Sequence, residues 1–196
     1  MNDSTSHLAL GVVMRARDGH LEVLLSGGRL PAAALAGGEP LEAALGRAVD
    51  VAALAHVEQL QTRVLEDGSI ATAYLGLVSF ESAVDGEWRP VADVVLPFVE
   101  AAQARLRAKL SYTNVGFALA PATFTISELR EVYVAALGHD VSATNLQRVL
   151  VRRGELERVA GQRAPGRAGG RPAALFRFAS TRLEVTDEFA ALRPPR

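Results

Sequence analysis

Phe124-Thr125-Ile126-Ser127-Glu128-Leu129, Asn145-Leu146-Gln147-Arg148-Val149-Leu150 and Gly170-Arg171-Pro172-Ala173 punctuate the stretch from Phe124 to Phe178, whose reading decides the fold. Ser127 to Leu137 has helical spacing, with Ile126, Leu129, Val132, Tyr133, Ala136 and Leu137 on one face. Thr125 or Ser127 can cap it, and Gly138 can end it. His139-Asp140-Val141 reads as a short turn, and Ser142 as the cap of a second helix that runs to about Arg153 and stops at Gly154. Leu146, Val149 and Leu150 face inward. Leu156 to Gln162 and Ala173 to Phe178 then read as two strands, joined by an arginine-, glycine- and proline-rich loop from Arg163 to Pro172. Helix, turn, helix and basic hairpin in this order are the parts of a winged helix-turn-helix.

The second helix leaves Thr144, Asn145, Gln147, Arg148, Val151 and Arg152 on its outer side. A helix fits the major groove of DNA, where Asn or Gln can bond adenine and Arg can bond guanine in bidentate fashion. Asn145, Gln147 and Arg148 are therefore the apt base readers, and Thr144 suits a thymine methyl or a phosphate. Arg152 and Arg153 lie a turn or more later and are assigned to phosphates. Arg163, Arg167 and Arg171 on the loop can follow the backbone or enter the minor groove. The alternative is an ordinary helical hairpin with solvated polar faces.

Working outward, Leu8 to Ala16 and Leu21 to Leu25 read as a β-hairpin about Asp18-Gly19. Pro40 to Val51 has helical spacing. Val57 to Val64 and Ile70 to Phe80 read as strands flanking Glu66-Asp67-Gly68, and Asp85-Gly86 marks another turn. Val94 to Leu110 reads as a long helix with Pro97 in its first turn. The expected architecture is α+β, with one domain over residues 1–110, including the connecting helix, and a winged helix over residues 111–196.

The net charge of −1 conceals an asymmetry. Residues 1–100 hold six Arg against fourteen Asp plus Glu, whereas residues 142–182 hold nine Arg against Glu155 and Glu157 alone. A basic patch of this kind is the footprint of a polyanion. Basic charge is carried by twenty Arg and one Lys, Lys109, so arginine abundance by itself weighs less. The chain has no cysteine, which excludes disulfides and thiolate metal sites and makes a reducing, cytoplasmic setting the simplest expectation. No run of about 18 apolar residues predicts a membrane span. The four histidines, at 7, 20, 56 and 139, lack metal-ligand spacing. Trp88 reads as a packing residue.

Tyr112-Thr113-Asn114, Phe124-Thr125, Glu128-Leu129, Val132-Tyr133, Leu137-Gly138, Asn145-Leu146-Gln147-Arg148 and Gly170-Arg171-Pro172-Ala173 together resemble the Nudix-related transcriptional regulators. In these bacterial repressors a Nudix-like domain of mixed sheet and helices precedes a winged helix. Glu58-Gln59-Leu60, Thr62 and Ala73-Tyr74-Leu75 extend the likeness upstream. That family favours aromatic and arginine residues where Leu146 and Gln147 stand, so the resemblance implies an altered base preference. It further implies a homodimer on a palindromic operator in double-stranded DNA. It also implies a nucleotide or sugar-derivative effector, of the ADP-ribose kind, bound by the N-terminal domain.

A Nudix hydrolase holds Mg²⁺ with a cluster of glutamates behind a glycine-opened loop. The corresponding region runs from Leu30 to Leu54, and alanines replace the two loop glycines. Glu39 and Arg47 keep the spacing of that motif's first Glu and its Arg, but Ala48, Val51 and Ala52 stand where the other glutamates belong. A shift of register by one residue offers only Asp50. No catalytic residue, metal site or resident cofactor is therefore expected. Arg47 and Arg63 are the candidate effector-phosphate ligands, with structural salt bridges or solvated arginines as the alternative. The rival functional readings are a divergent Nudix hydrolase acting on a nucleoside diphosphate derivative and a protein-interaction module.

Overall fold

The computed structural model describes residues 6–163 and 172–187. Contacts divide the chain into two units. Met1–Arg15, Leu21–Val78 and Ser82–Arg105 form the first, and Ala16–His20, Ser79–Glu81 and Leu106–Arg196 the second.

The first unit is built on a mixed sheet. Its strands are β1 (His7–Arg17), β2 (His20–Leu25), β3 (Ala32–Ala34), β4 (His56–Val64), β5 (Ile70–Leu77) and β6 (Glu87–Pro90), in the order β4-β5-β1-β2-β6, with β3 paired to β1. β1 and β5 run parallel, and β3, β4 and β6 are antiparallel to their neighbours. Asp18 (φ 49°) and Gly19 (φ 78°) both take left-handed backbone at the β1–β2 turn, the conformation for which Asp-Gly is suited. Helix α1 (Leu41–Ala48) buries Ala44 and Leu45 against a core that includes Ala9, Val13, Leu24, Val49, Tyr74 and Val78. Trp88 packs against this core as expected, with the Arg15 guanidinium 4.1 Å from its ring centroid.

Helix α2 (Val99–Tyr112) begins five residues later than the spacing predicts. Val91–Asp93 forms a 3₁₀ turn, Pro97 disfavours helical backbone at Leu96, and Phe98 stands at φ 72°. Pro97 therefore precedes the helix instead of opening it.

The second unit contains α3 (Ile126–Leu137), α4 (Ala143–Arg152) and a two-stranded ribbon of β7 (Leu156–Arg163) and β8 (Ala173–Phe178). Thr125 accepts from the Glu128 amide, and the Glu128 carboxylate accepts from the Thr125 amide at 2.7 Å, a reciprocal capping box. Gly138 closes α3 at φ 75°. Phe124 and Phe176 exchange backbone hydrogen bonds of 2.9 and 2.8 Å, so the chain entering α3 joins the ribbon edge. The expected buried stripe of α3 holds, except that Ile126 is only half-buried.

Candidate nucleic-acid interface

Helix α4 is strongly two-sided. Leu146, Val149 and Leu150 are buried, while Thr144, Asn145, Arg148, Val151 and Arg152 are exposed and Gln147 is half-buried. Ser142 caps the helix by accepting from the Asn145 amide at 3.4 Å. The helix is short, and its inner face carries only three buried side chains. Its orientation depends on the turn before it, and Arg130 supplies that hold. The Arg130 Nε donates to the Val141 carbonyl at 2.8 Å, and its Nη2 meets the Asp140 carboxylate at 2.5 Å. Sequence reasoning missed Arg130, because a helix-surface arginine carries no mark of the turn it will reach.

Within the exposed face, Arg148 Nη2 donates to Asn145 Oδ1 at 2.7 Å. A bidentate contact from Asn145 to adenine needs that oxygen as an acceptor. The two side chains are therefore coupled on this face, and the Asn145 oxygen is partly taken up by Arg148.

Arg153 departs from its expected role. Its side chain is only 2% exposed. It donates to the Ser111 carbonyl at 2.6 Å and to Asp187 at 2.8 Å, and lies 3.6 Å from Glu155. It cannot reach a phosphate from there. It belongs to a buried ionic cluster that ties the end of α4 to the end of α2 and to the segment after β8. Thr186 donates to the Glu155 carboxylate at 2.5 Å, and Asn114 clamps the same segment through the Arg182 carbonyl and the Glu184 amide, each at 2.8 Å. Burial pushes the Glu155 carboxyl above the ordinary range, while the Thr186 and Arg153 bonds pull the other way. Burial, and then the Glu155 charge, pushes the neighbouring Tyr133 hydroxyl well up.

Arg163 is also repositioned. It is the last residue of β7, paired with Ala173, and not part of the loop. It is exposed, lies 3.2 Å from Glu128 and donates to the Thr123 carbonyl at 3.4 Å. Arg167 and Arg171 lie outside the described residues.

In the first unit, Arg47 pairs with Glu39 and donates to the Ala34 carbonyl at 2.5 Å. Glu39 also accepts from the Ala36 amide at 2.6 Å. The Arg47 bond, with that amide second, holds the Glu39 carboxyl below its ordinary range. The old motif spacing thus survives as a loop staple. Arg63 stacks 5.7 Å from the Phe98 ring centroid and donates to Gln61 at 3.4 Å. A cleft of about 220 Å³ beside α1 and β4 is lined by Glu42, Glu58, Gln59 and Tyr74 with Leu45, Val51 and Val57, and by neither arginine. Asp50, the alternative carboxylate, accepts from the Ala52 amide at 3.1 Å and caps a 3₁₀ turn. Among the described residues no group of three or more His, Asp or Glu is placed to hold a metal.

Residues 116–178 match the model of the NrtR DNA-binding winged helix domain. This chain carries an NrtR-type winged helix. The ADPR responsive transcriptional repressor NtrR of Acinetobacter baylyi is 29% identical across 57% of this chain, and the match spans 49% of that repressor's length. The crystal structure of Shewanella oneidensis NrtR complexed with a 27mer DNA superposes with a TM-score of 0.69 at 26% identity, covering 87% of this chain and 92% of that one. The same protein without DNA gives 0.68 at 26% identity, over 88% and 93%. A MutT/nudix family protein from Enterococcus faecalis gives 0.62 at 16% identity, over 92% and 90%, a likeness of fold alone. The mixed α+β class and the Nudix-like fold ahead of the NrtR-type winged helix agree with the reading of the sequence.

Proposed function

We propose that this protein is a sequence-specific DNA-binding repressor, with residues 111–196 as its DNA-binding domain and residues 1–110 as a Nudix-like sensing or dimerising domain without hydrolase activity. The observation that carries the reading is the outer face of α4: a capped helix, matched to the NrtR winged helix, that exposes Thr144, Asn145, Arg148 and Arg152 beside Gln147. A helix so furnished has donors and acceptors that complement those the major groove presents. The related Shewanella oneidensis protein was crystallised with DNA, and the Acinetobacter baylyi relative is a repressor responsive to ADPR. Two copies would place two recognition helices on the half-sites of a palindrome. Arg163, Arg167 and Arg171 would add backbone contacts from the wing. An ADP-ribose-like nucleotide or a sugar derivative would be the effector.

Absence of hydrolysis rests on the donor set. Ala48, Val51 and Ala52 offer no side-chain oxygen ligands to a hard cation, and Glu39 is committed to Arg47.

The deciding experiment is equilibrium binding of the full chain to duplexes selected from a random pool. Arg148→Ala should weaken the selected duplex by about 10- to 100-fold and relax base choice at one position. Arg152→Ala should weaken all duplexes alike and lower the salt slope by about one. If wild type selects no sequence and both variants bind like it, the reading fails.

A further inference from the structure

Among the described residues, Val151 is the one large apolar side chain left exposed on any of the four α-helices, with half of its surface open. It does not belong to the buried stripe of Leu146, Val149 and Leu150, so packing does not explain it. Its place in the helix does more. Val151 lies four residues after Gln147 and three after Arg148, so it stands beside both on the face assigned to bases. A long arginine stem commonly covers such a neighbour. Here the Arg148 guanidinium is drawn toward the helix N-terminus by Asn145, at 2.7 Å, and Val151 stays open. Arg152 follows it, exposed and cationic.

An apolar group ringed by a base-reading arginine, a glutamine and a phosphate-seeking arginine calls for an apolar partner on a polyanion. The major groove offers one such group at its floor, the C5 methyl of thymine. We propose that Val151 is a specificity residue that packs on a thymine methyl beside the base read by Arg148. This rests on α4 being the recognition helix, and it goes beyond that reading by assigning a base to a residue with no hydrogen-bonding group.

The test separates the two ideas. A duplex is first selected by the full wild-type protein from a random pool. Each thymine in it is then replaced singly by deoxyuridine, which deletes only the methyl. One replacement should weaken wild type by about 4-fold, the worth of burying one methyl-sized group. Val151→Ala should weaken the all-thymine duplex by a similar factor and become indifferent to that replacement alone. Val151→Ile, which keeps an apolar branched head, should restore sensitivity. Because Val151 is exposed, both variants should melt with wild type. Failure of wild type to select any sequence overturns the repressor reading and this inference together. A selected duplex on which Val151→Ala stays as methyl-sensitive as wild type overturns the inference alone.

Discussion

Arg153 shows what a single residue's neighbours decide. By sequence it continues the row of Arg148 and Arg152 and reads as a third polyanion contact. In the fold its head turns inward to Asp187, thirty-four residues away, and to the Ser111 carbonyl. Helical spacing from Leu146, Val149 and Leu150 already puts Arg153 on the inner stripe, but its partners arrive only when the segment after β8 returns to the end of α2. Removing one partner from a buried ion pair leaves the other charge unpaired in a poor dielectric. Arg153→Met should therefore lower unfolding free energy by about 3–5 kcal/mol, read by chemical denaturation of the full chain. Well below the melting temperature its DNA salt slope should match wild type. An unchanged midpoint with a salt slope lower by about one would restore the phosphate role. The exposed arginines were legible because solvent exposure follows from helical periodicity alone. Asn145 and Arg148 needed one further step, since their mutual bond is a rotamer choice that residue spacing permits without dictating.

The elements divide by how local their causes are. α3 and α4 were readable nearly to the residue, since Thr125, Glu128, Gly138 and Ser142 act within one turn of the helix ends they define. β3 and β6 were missed, being three and four residues long and too short to show alternation. The segment after β8 was unreadable as a latch, yet it carries Thr186 onto Glu155. Glu155 immediately precedes β7, and its side chain has no exposed surface. The folded protein holds the Glu155 proton to a higher pH than the unfolded chain does, where an ordinary glutamate titrates near 4.5. The stability this group contributes is full below that value and is lost as pH rises through the raised folded value. Relative to Glu155→Gln, which cannot ionise, the wild-type melting temperature should therefore decline as pH is raised from about 4.5 toward neutrality. Parallel melting curves for the two proteins across that interval would refute the assignment.

For the molecule as a whole, the fold and the motif remnants point in different directions, and residue chemistry arbitrates. The Nudix-like sheet by itself is compatible with hydrolysis, since fold does not determine function. Glu39 and Arg47 keep their spacing but spend their charges on each other and on the Ala34 and Ala36 backbone. The cleft beside α1 presents Glu42 and Glu58, and the Tyr74 hydroxyl donates to Glu42 at 3.2 Å. Glu58 is already paired with Arg105 at 3.2 Å, and the described cleft lining holds no arginine or lysine for the diphosphate of an ADP-ribose-like effector, whereas its hydroxyl-rich ribose can donate to Glu42. If such a nucleotide is the signal, its effect on DNA must be matched by an equal effect of DNA on the nucleotide, because binding free energies are linked. ADP-ribose titrated into the protein–DNA complex should release DNA with a change in affinity of about 5- to 150-fold, and saturating DNA should weaken ADP-ribose by the same factor in calorimetry. With Mg²⁺ or Mn²⁺ present, the nucleotide should be recovered intact. Turnover that Glu39→Gln abolishes would instead make the N-terminal unit a hydrolase. DNA affinity indifferent to ADP-ribose would leave that unit a dimerising scaffold or the receptor of another ligand.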